Sequence, residues 1–121
     1  MHEPADRERI AWAAGFFEGE GSITLNGDTL ALRLNNTDEA IVQRFSDIVD
    51  VGRVYGPYSR ERERDGYKRK PFWVWVAQSY CALDALQLLG PWLSERRLSR
   101  AYELTGIRFH VLSAPENNSR S

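Results

Sequence analysis

The chain has one cysteine, Cys81, and its two histidines, His2 and His110, lie near opposite ends of its 121 residues. A lone cysteine excludes an internal disulfide framework. With no histidine or other partner assignable to it, Cys81 reads as a small buried hydrophobe rather than a nucleophile. No stretch has the charged, apolar and small-residue order of a signal peptide, and none has the length of a membrane span. An intracellular location, cytoplasmic or organellar, is expected. Nor is there an excess of charge of either sign: 16 Lys and Arg against 17 Asp and Glu leave a net charge of −1. That balance is unlike the basic footprint of most nucleic-acid binders. The bases are nonetheless unevenly spread. Arg60, Arg62, Arg64, Lys68, Arg69 and Lys70 crowd one stretch and Arg96, Arg97 and Arg100 another, whereas acids dominate the first fifty residues.

What is present is the material of one folded domain. Four tryptophans and an aromatic content of 12% separate the chain from disordered sequences, and its length suits a single core. Residues 6–18 read as a helix capped by Asp6, with Ile10, Ala13 and Phe17 at helical spacing. From Ser22 to Asn36 the period changes to two, with Ile23 and Leu25, then Leu30, Leu32 and Leu34, around a turn at Asn26-Gly27-Asp28. Thr37 or Asp38 can cap a second helix through about Val49. A second hairpin is expected over about 52–59 and 71–78, joined by a charged segment turning at Asp65-Gly66. Its strand "FWVWVAQ" is apolar on both faces, so periodicity leaves its core side open. Ser79 can cap a third helix stopped by Gly90-Pro91, and a fourth runs from about 94 to 107. The fold class is therefore α+β: helix, hairpin, helix, hairpin, then helices, in one domain over 1–110 with a C-terminal tail over 111–121.

The first helix ends in an unusual way. "FEGEG" places Glu18 and Glu20 among glycines where the helix macrodipole is already negative. Either the acids are a solvated helix end with glycine as C-cap, or a cation turns the dipole to advantage, carboxylates and carbonyls together forming an oxygen site suited to magnesium. Ala11, Gly15 and Gly19 recur every four residues, with Ala14 beside Gly15. Such a smooth stripe packs closely either on the protein's own sheet or on the same helix of a second copy. In the second case both copies of Glu20 meet, and paired divalent ions between them would suit phosphodiester hydrolysis.

"AAGFFEGEG" at residues 13–21 resembles the motif of the LAGLIDADG homing endonucleases, with Ala13, Phe16 and Phe17 in place of aliphatics and glutamates in place of aspartates. "VGRVYGPYSR" resembles the family's strand after the second helix, and "LLGPWLSERRLSRA" its late helical segment. With the element order, the resemblance extends over roughly residues 8–107. It implies a saddle-shaped antiparallel sheet and a homodimer whose motif helices meet through Ala11, Ala14, Gly15 and Glu18. It further implies magnesium, or another divalent cation, on Glu20 and the Gly19 carbonyl, with Glu18 structural rather than a ligand. Asp38 corresponds to a polar residue that orders water, unless it serves as a helix cap. Arg96, or Arg97, corresponds to a base that stabilises phosphate charge, the alternative for Arg97 being a solvated helix face.

The implied activity is a magnesium-dependent staggered double-strand break in a long, near-palindromic DNA site, of the kind made by intron-borne enzymes. The hairpins would enter the major groove with Thr24, Asn26, Asp28, Arg33, Asn35, Arg53 and Tyr55. Arg60, Arg62, Lys68 and Lys70 would contact phosphates, unless they form a solvated turn. Trp73 and Trp75 are either stacking platforms or core, and the resemblance favours core. Two other classes stand beside this one: a non-cleaving nucleic-acid-binding module on the same fold, such as an intron RNA maturase or a DNA-binding regulator, and a glycan-binding domain built on exposed aromatics.

Overall fold

The structure, a computed structural model, describes residues 4–59 and 70–109. Helix α1 (Pro4–Glu20) runs without a loop into strand β1 (Gly21–Asn26), which turns into β2 (Thr29–Asn36). Helix α2 (Glu39–Val49) leads to β3 (Arg53–Tyr58), and β4 (Phe72–Gln78) is followed by α3 (Tyr80–Leu89), a single 3-10 turn at Gly90–Trp92 and α4 (Glu95–Thr105). The expected α+β order is present, and α1 extends beyond residues 6–18 at both ends, so that both glutamates belong to its last turn.

Local chemistry accounts for the boundaries. Asp38 caps α2, its carboxylate accepting hydrogen bonds from the backbone N–H of Ala40 (3.0 Å) and Ile41 (3.4 Å). Ser94 caps α4 through the Arg97 N–H at 3.2 Å. Ser79 departs from expectation: it stands at the start of α3 with φ 55° and makes no capping hydrogen bond. As expected, α3 ends at Leu89 before Gly90-Pro91, which lead into the 3-10 turn, with Pro91 at a position that needs no N–H.

The four strands form one antiparallel sheet in the order β1-β2-β4-β3, so the two hairpins join through β2 and β4. Alternation sends Ile23, Leu32, Leu34, Trp75 and Ala77 to one face, where all are buried under the helices. This settles the side of "FWVWVAQ": Trp75 is fully buried and Trp73 packs against the core, as core residues rather than stacking platforms. Rings tie the layers together, Phe45 of α2 standing edge-on to Trp75 at 4.8 Å and meeting Phe16 at 6.0 Å and Phe17 at 6.3 Å. The Trp75 indole N–H donates to the Val51 carbonyl at 2.9 Å, so its one polar atom is satisfied. Among the described residues, no helix is long and apolar enough to cross a membrane.

The α1–β1 junction depends on the absence of a side chain. A Cβ on Gly21 would lie 2.3 Å from the Phe17 ring, far inside van der Waals contact. Phe17 is fully buried and has no room to retreat. Gly21→Ala is expected to cost about 1–3 kcal/mol, measured as a fall in the urea midpoint; an unchanged midpoint would remove this constraint from the account.

Candidate functional site

The C-terminal end of α1 meets the N-terminal end of α4. The Glu18 carboxylate accepts hydrogen bonds from the Ser94 backbone N–H (3.0 Å) and hydroxyl (2.7 Å), and from Arg96 at 3.3 Å. Arg97 donates to the Glu18 backbone carbonyl at 2.8 Å, one of the last-turn carbonyls that has no partner inside the helix. Its guanidinium also lies 5.5 Å from the Phe17 ring centre, over its face. Burial pushes the Glu18 carboxyl up, but the two Ser94 hydrogen bonds and the charges of Arg97 and Arg96 outweigh it and hold the group below its ordinary value. Burial and the neighbouring Arg96 pull the Arg97 pKa down, against the pull of Glu18.

This arrangement separates the two glutamates. Glu18 is half-buried, and its carboxylate is engaged within its own chain. Glu20 is exposed and makes no hydrogen bond or ion pair among the described residues. Ala14, expected on a dimer face, is instead fully buried in the core and presents no surface to a partner. Ala11 is half-buried, whereas Gly15 and Gly19 are exposed, and a Cβ on either would meet nothing within 4 Å. The glycines therefore do not pack on the protein's own sheet. They leave a bare strip of backbone along α1 that ends at Glu20.

The sheet face turned away from the helices carries the other candidates. The register aligns Ser22, Arg33, Val76 and Arg53 in one row across the four strands, and Asn35, Val74 and Tyr55 in the next. Thr24 lies opposite Ala31, and Asn26 closes the end of β1. No strand position on this face is an acid. Between β1 and α4 runs a groove of about 450 Å³ lined by Ser22, Arg96, Arg97, Arg100 and Glu103. It brings the arginines of α4 to the same edge of the sheet as the end of α1.

Other expected residues fall elsewhere. Asp28 sits in the β1–β2 turn and lines an apolar cavity of about 350 Å³ with Leu25, Tyr80 and Ile107, apart from the strand rows. One Asp38 oxygen is taken by the α2 cap. Lys70 is exposed just before β4, while Arg60, Arg62 and Lys68 lie outside the described residues. Cys81 is exposed, contrary to the expectation of a buried hydrophobe. Arg97, expected on a solvated face, has a side chain only 13% exposed. Ser94 carries no functional mark in the sequence, because its bond to a carboxylate 76 residues away leaves no periodic signal.

Among the described residues, no three His, Cys, Asp or Glu side chains converge as a metal site. Glu20 offers a hard carboxylate oxygen of the kind magnesium takes, and the last-turn carbonyls lie at the same helix end. One or two carboxylates with retained waters can hold that ion, so the donor set fits a divalent cation.

No family model matches the chain, and no curated protein does so significantly. Among solved structures it is similar to the homing endonuclease I-CvuI in complex with its target in the presence of calcium, at 20% identity and a TM-score of 0.60 over 84% of this chain and 67% of that one. It is similar also to I-CvuI with the I-CreI target in magnesium, the DNA not cleaved, with 20% identity, a TM-score of 0.59 and the same coverage. The chain thus has the fold of those proteins.

The Glu18 contacts make acid stability testable. A carboxyl held low in the folded state stabilises the fold above its unfolded pKa, near 4.5, and that contribution is lost as pH falls through the folded value. Glu18→Gln should lower stability at pH 7 by about 1–2 kcal/mol and flatten the decline below pH 4.5. Parallel pH profiles for the two proteins would overturn the assignment.

Proposed function

We propose that the chain is a site-specific DNA endonuclease that acts as a homodimer on a near-palindromic duplex. The observation that carries this reading is the distribution of charge in a near-neutral chain: among the described residues, the strand positions of the helix-free sheet face bear Arg33 and Arg53 and no carboxylate, and β1 of that sheet follows directly on the exposed Glu20. Such a face suits a polyanion with readable edges, and the solved structures of like fold are DNA complexes.

Two copies would meet along the bare strip of α1. A glycine inside a helix costs roughly 0.5–1 kcal/mol against alanine, and Gly15 and Gly19 have open space where a side chain would fit. Close backbone approach by a twin helix gives that cost a purpose, and a two-fold axis there brings the two Glu20 carboxylates together. Glu20 and the Gly19 carbonyl of each subunit would hold the divalent cation, which supplies Lewis-acid stabilisation and an activated water. The residues of the chain do the rest. Arg96, exposed in the groove beside Ser22, neutralises phosphate charge. Asp38 offers the carboxylate oxygen not used in capping to orient water. Arg97 and Ser94 hold the helix end that carries Glu20. Thr24, Asn26, Asn35 and Tyr55 face the bases with the two arginines, and Lys70 faces phosphate.

Cleavage of a random duplex library in magnesium should yield staggered ends at a defined site. Glu20→Gln should abolish cleavage while duplex binding persists; cleavage at the original rate in that variant would overturn the metal assignment. Binding without nicking by the unaltered protein, in magnesium or manganese, would leave a DNA-binding module and refute the enzyme. For the dimer, Gly15→Leu should fold at least as stably as the parent, because leucine suits a helix better than glycine by about 0.8 kcal/mol. Light scattering should then give a dimer mass for the parent and a monomer mass for the variant. Equal masses would contradict the proposed interface.

A further inference from the structure

At the far end of the first hairpin, on the helix-covered side of the sheet, three elements leave a cavity of about 350 Å³ between them. Its walls are Leu25 and Leu30 of the hairpin, Leu83 of α3, and Leu104 and Ile107 at and just past the end of α4. Alternation places Leu25 on the same side as the buried Ile23, opposite the rows proposed to face DNA. Four strand residues, roughly 13 Å, separate Leu25 from Gly21 at the end of α1. Of the six large hydrophobic side chains exposed among the described residues, Leu25, Tyr80 and Ile107 all line this one cavity. Tyr80 is 82% exposed, against 45% for the next most exposed of them. Apolar side chains scattered singly over a surface need no explanation, but a cluster around a concavity marks a contact site.

The backbone at the rim is strained. Ser79 has φ 55° and ψ −124°, a conformation that suits glycine, and it makes no capping hydrogen bond to account for it. The other described non-glycine at positive φ, Asp50, is an ordinary left-handed helix cap. Ser79 is held from both sides, its N–H donating to the Leu30 carbonyl at 2.9 Å and its carbonyl accepting from the Leu83 N–H at 3.0 Å. The strain is thus locked where α3 leaves the sheet, and the next residue is the exposed Tyr80. On the opposite wall the Thr105 hydroxyl is consumed, donating to the Ala101 carbonyl at 2.8 Å and accepting from the Ile107 N–H at 2.9 Å. Among the described residues, Asp28 is the one charged group of the lining, and no cation stands with it. A carboxylate beside apolar walls complements an apolar side chain with a positive charge next to it. A ligand confined to 350 Å³ would sit at the small end of ligand sites and leave Tyr80 bare, whereas a polypeptide laid over the rim covers that ring. We propose that this cavity is the docking site for a basic segment of a partner protein, which inserts one large apolar side chain between Leu25, Leu83 and Ile107 and sets a lysine or arginine against Asp28.

Random peptides displayed on phage are selected on the intact protein, synthesised and titrated. The selected peptides should share a large apolar residue adjoining lysine or arginine, and on binding they should shift the amide resonances of residues 79–83 and 104–107. Tyr80→Ser should keep the urea midpoint of the parent, because the ring is exposed, and weaken the peptide by about tenfold or more. Asp28→Asn should weaken it by about two- to fivefold and remove most of its salt dependence. Peptides without a basic residue, an affinity unchanged by Tyr80→Ser, or no enrichment at all would overturn the proposal. Binding of 2-phenylethylamine as tight as that of the peptide would make the cavity a small-molecule site and overturn it as well. A dimer mass in light scattering that Tyr80→Ser abolishes would assign the face to a second copy, with the same consequence.

Discussion

The contact between the last turn of α1 and the first turn of α4 is the constraint on which the functional geometry rests. One end of a helix exposes carbonyls and the other exposes N–H groups. Here each end answers the other, Arg97 taking the Glu18 carbonyl and the Ser94 cap donating to the Glu18 carboxylate. The unfavourable position of an acid at a helix C-terminus is offset because that acid lies against the positive end of another helix. With Glu18 held in this way and Gly21 closed over Phe17, the last turn of α1 has little freedom. Glu20 stands on that fixed turn and faces solvent.

The sheet does for charge what this junction does for the backbone. Its helix-facing side consumes the aliphatic residues of both hairpins and the indole of Trp75. That leaves the opposite side to be chosen by something other than burial. In a chain with 17 acids and 16 bases, the absence of any carboxylate from the described strand positions of that side is what makes a local positive surface compatible with a net charge near zero. The groove beside β1 then places the arginines of α4 at the margin of the same surface.

Much of this was legible in the chain because period and punctuation agree. The alternation of Ile23, Leu32 and Leu34 with polar residues specified the first hairpin and its faces, Thr37-Asp38 bracketed the start of α2, and α4 begins within a residue of the expected position 94. The faces of β4 were not legible: it lies inside the sheet, where Val74 is almost fully buried even on the helix-free side, so both faces select apolar residues. Ala14 and Gly15 differ by one residue, yet a step of about 100° around α1 carries one into the core and leaves the other bare. Composition shows both as small and cannot separate them. The same holds for the two glutamates, whose roles diverge through partners on α4 that no local pattern connects to them.

In the proposed function Glu20, on its fixed turn, is half of a site that a second copy completes on DNA. Native mass spectrometry of the protein with a selected duplex, under calcium so that the DNA remains whole, tests it most directly. The account predicts two chains on each duplex and no appreciable species with one. A stable complex of one chain per duplex would contradict it.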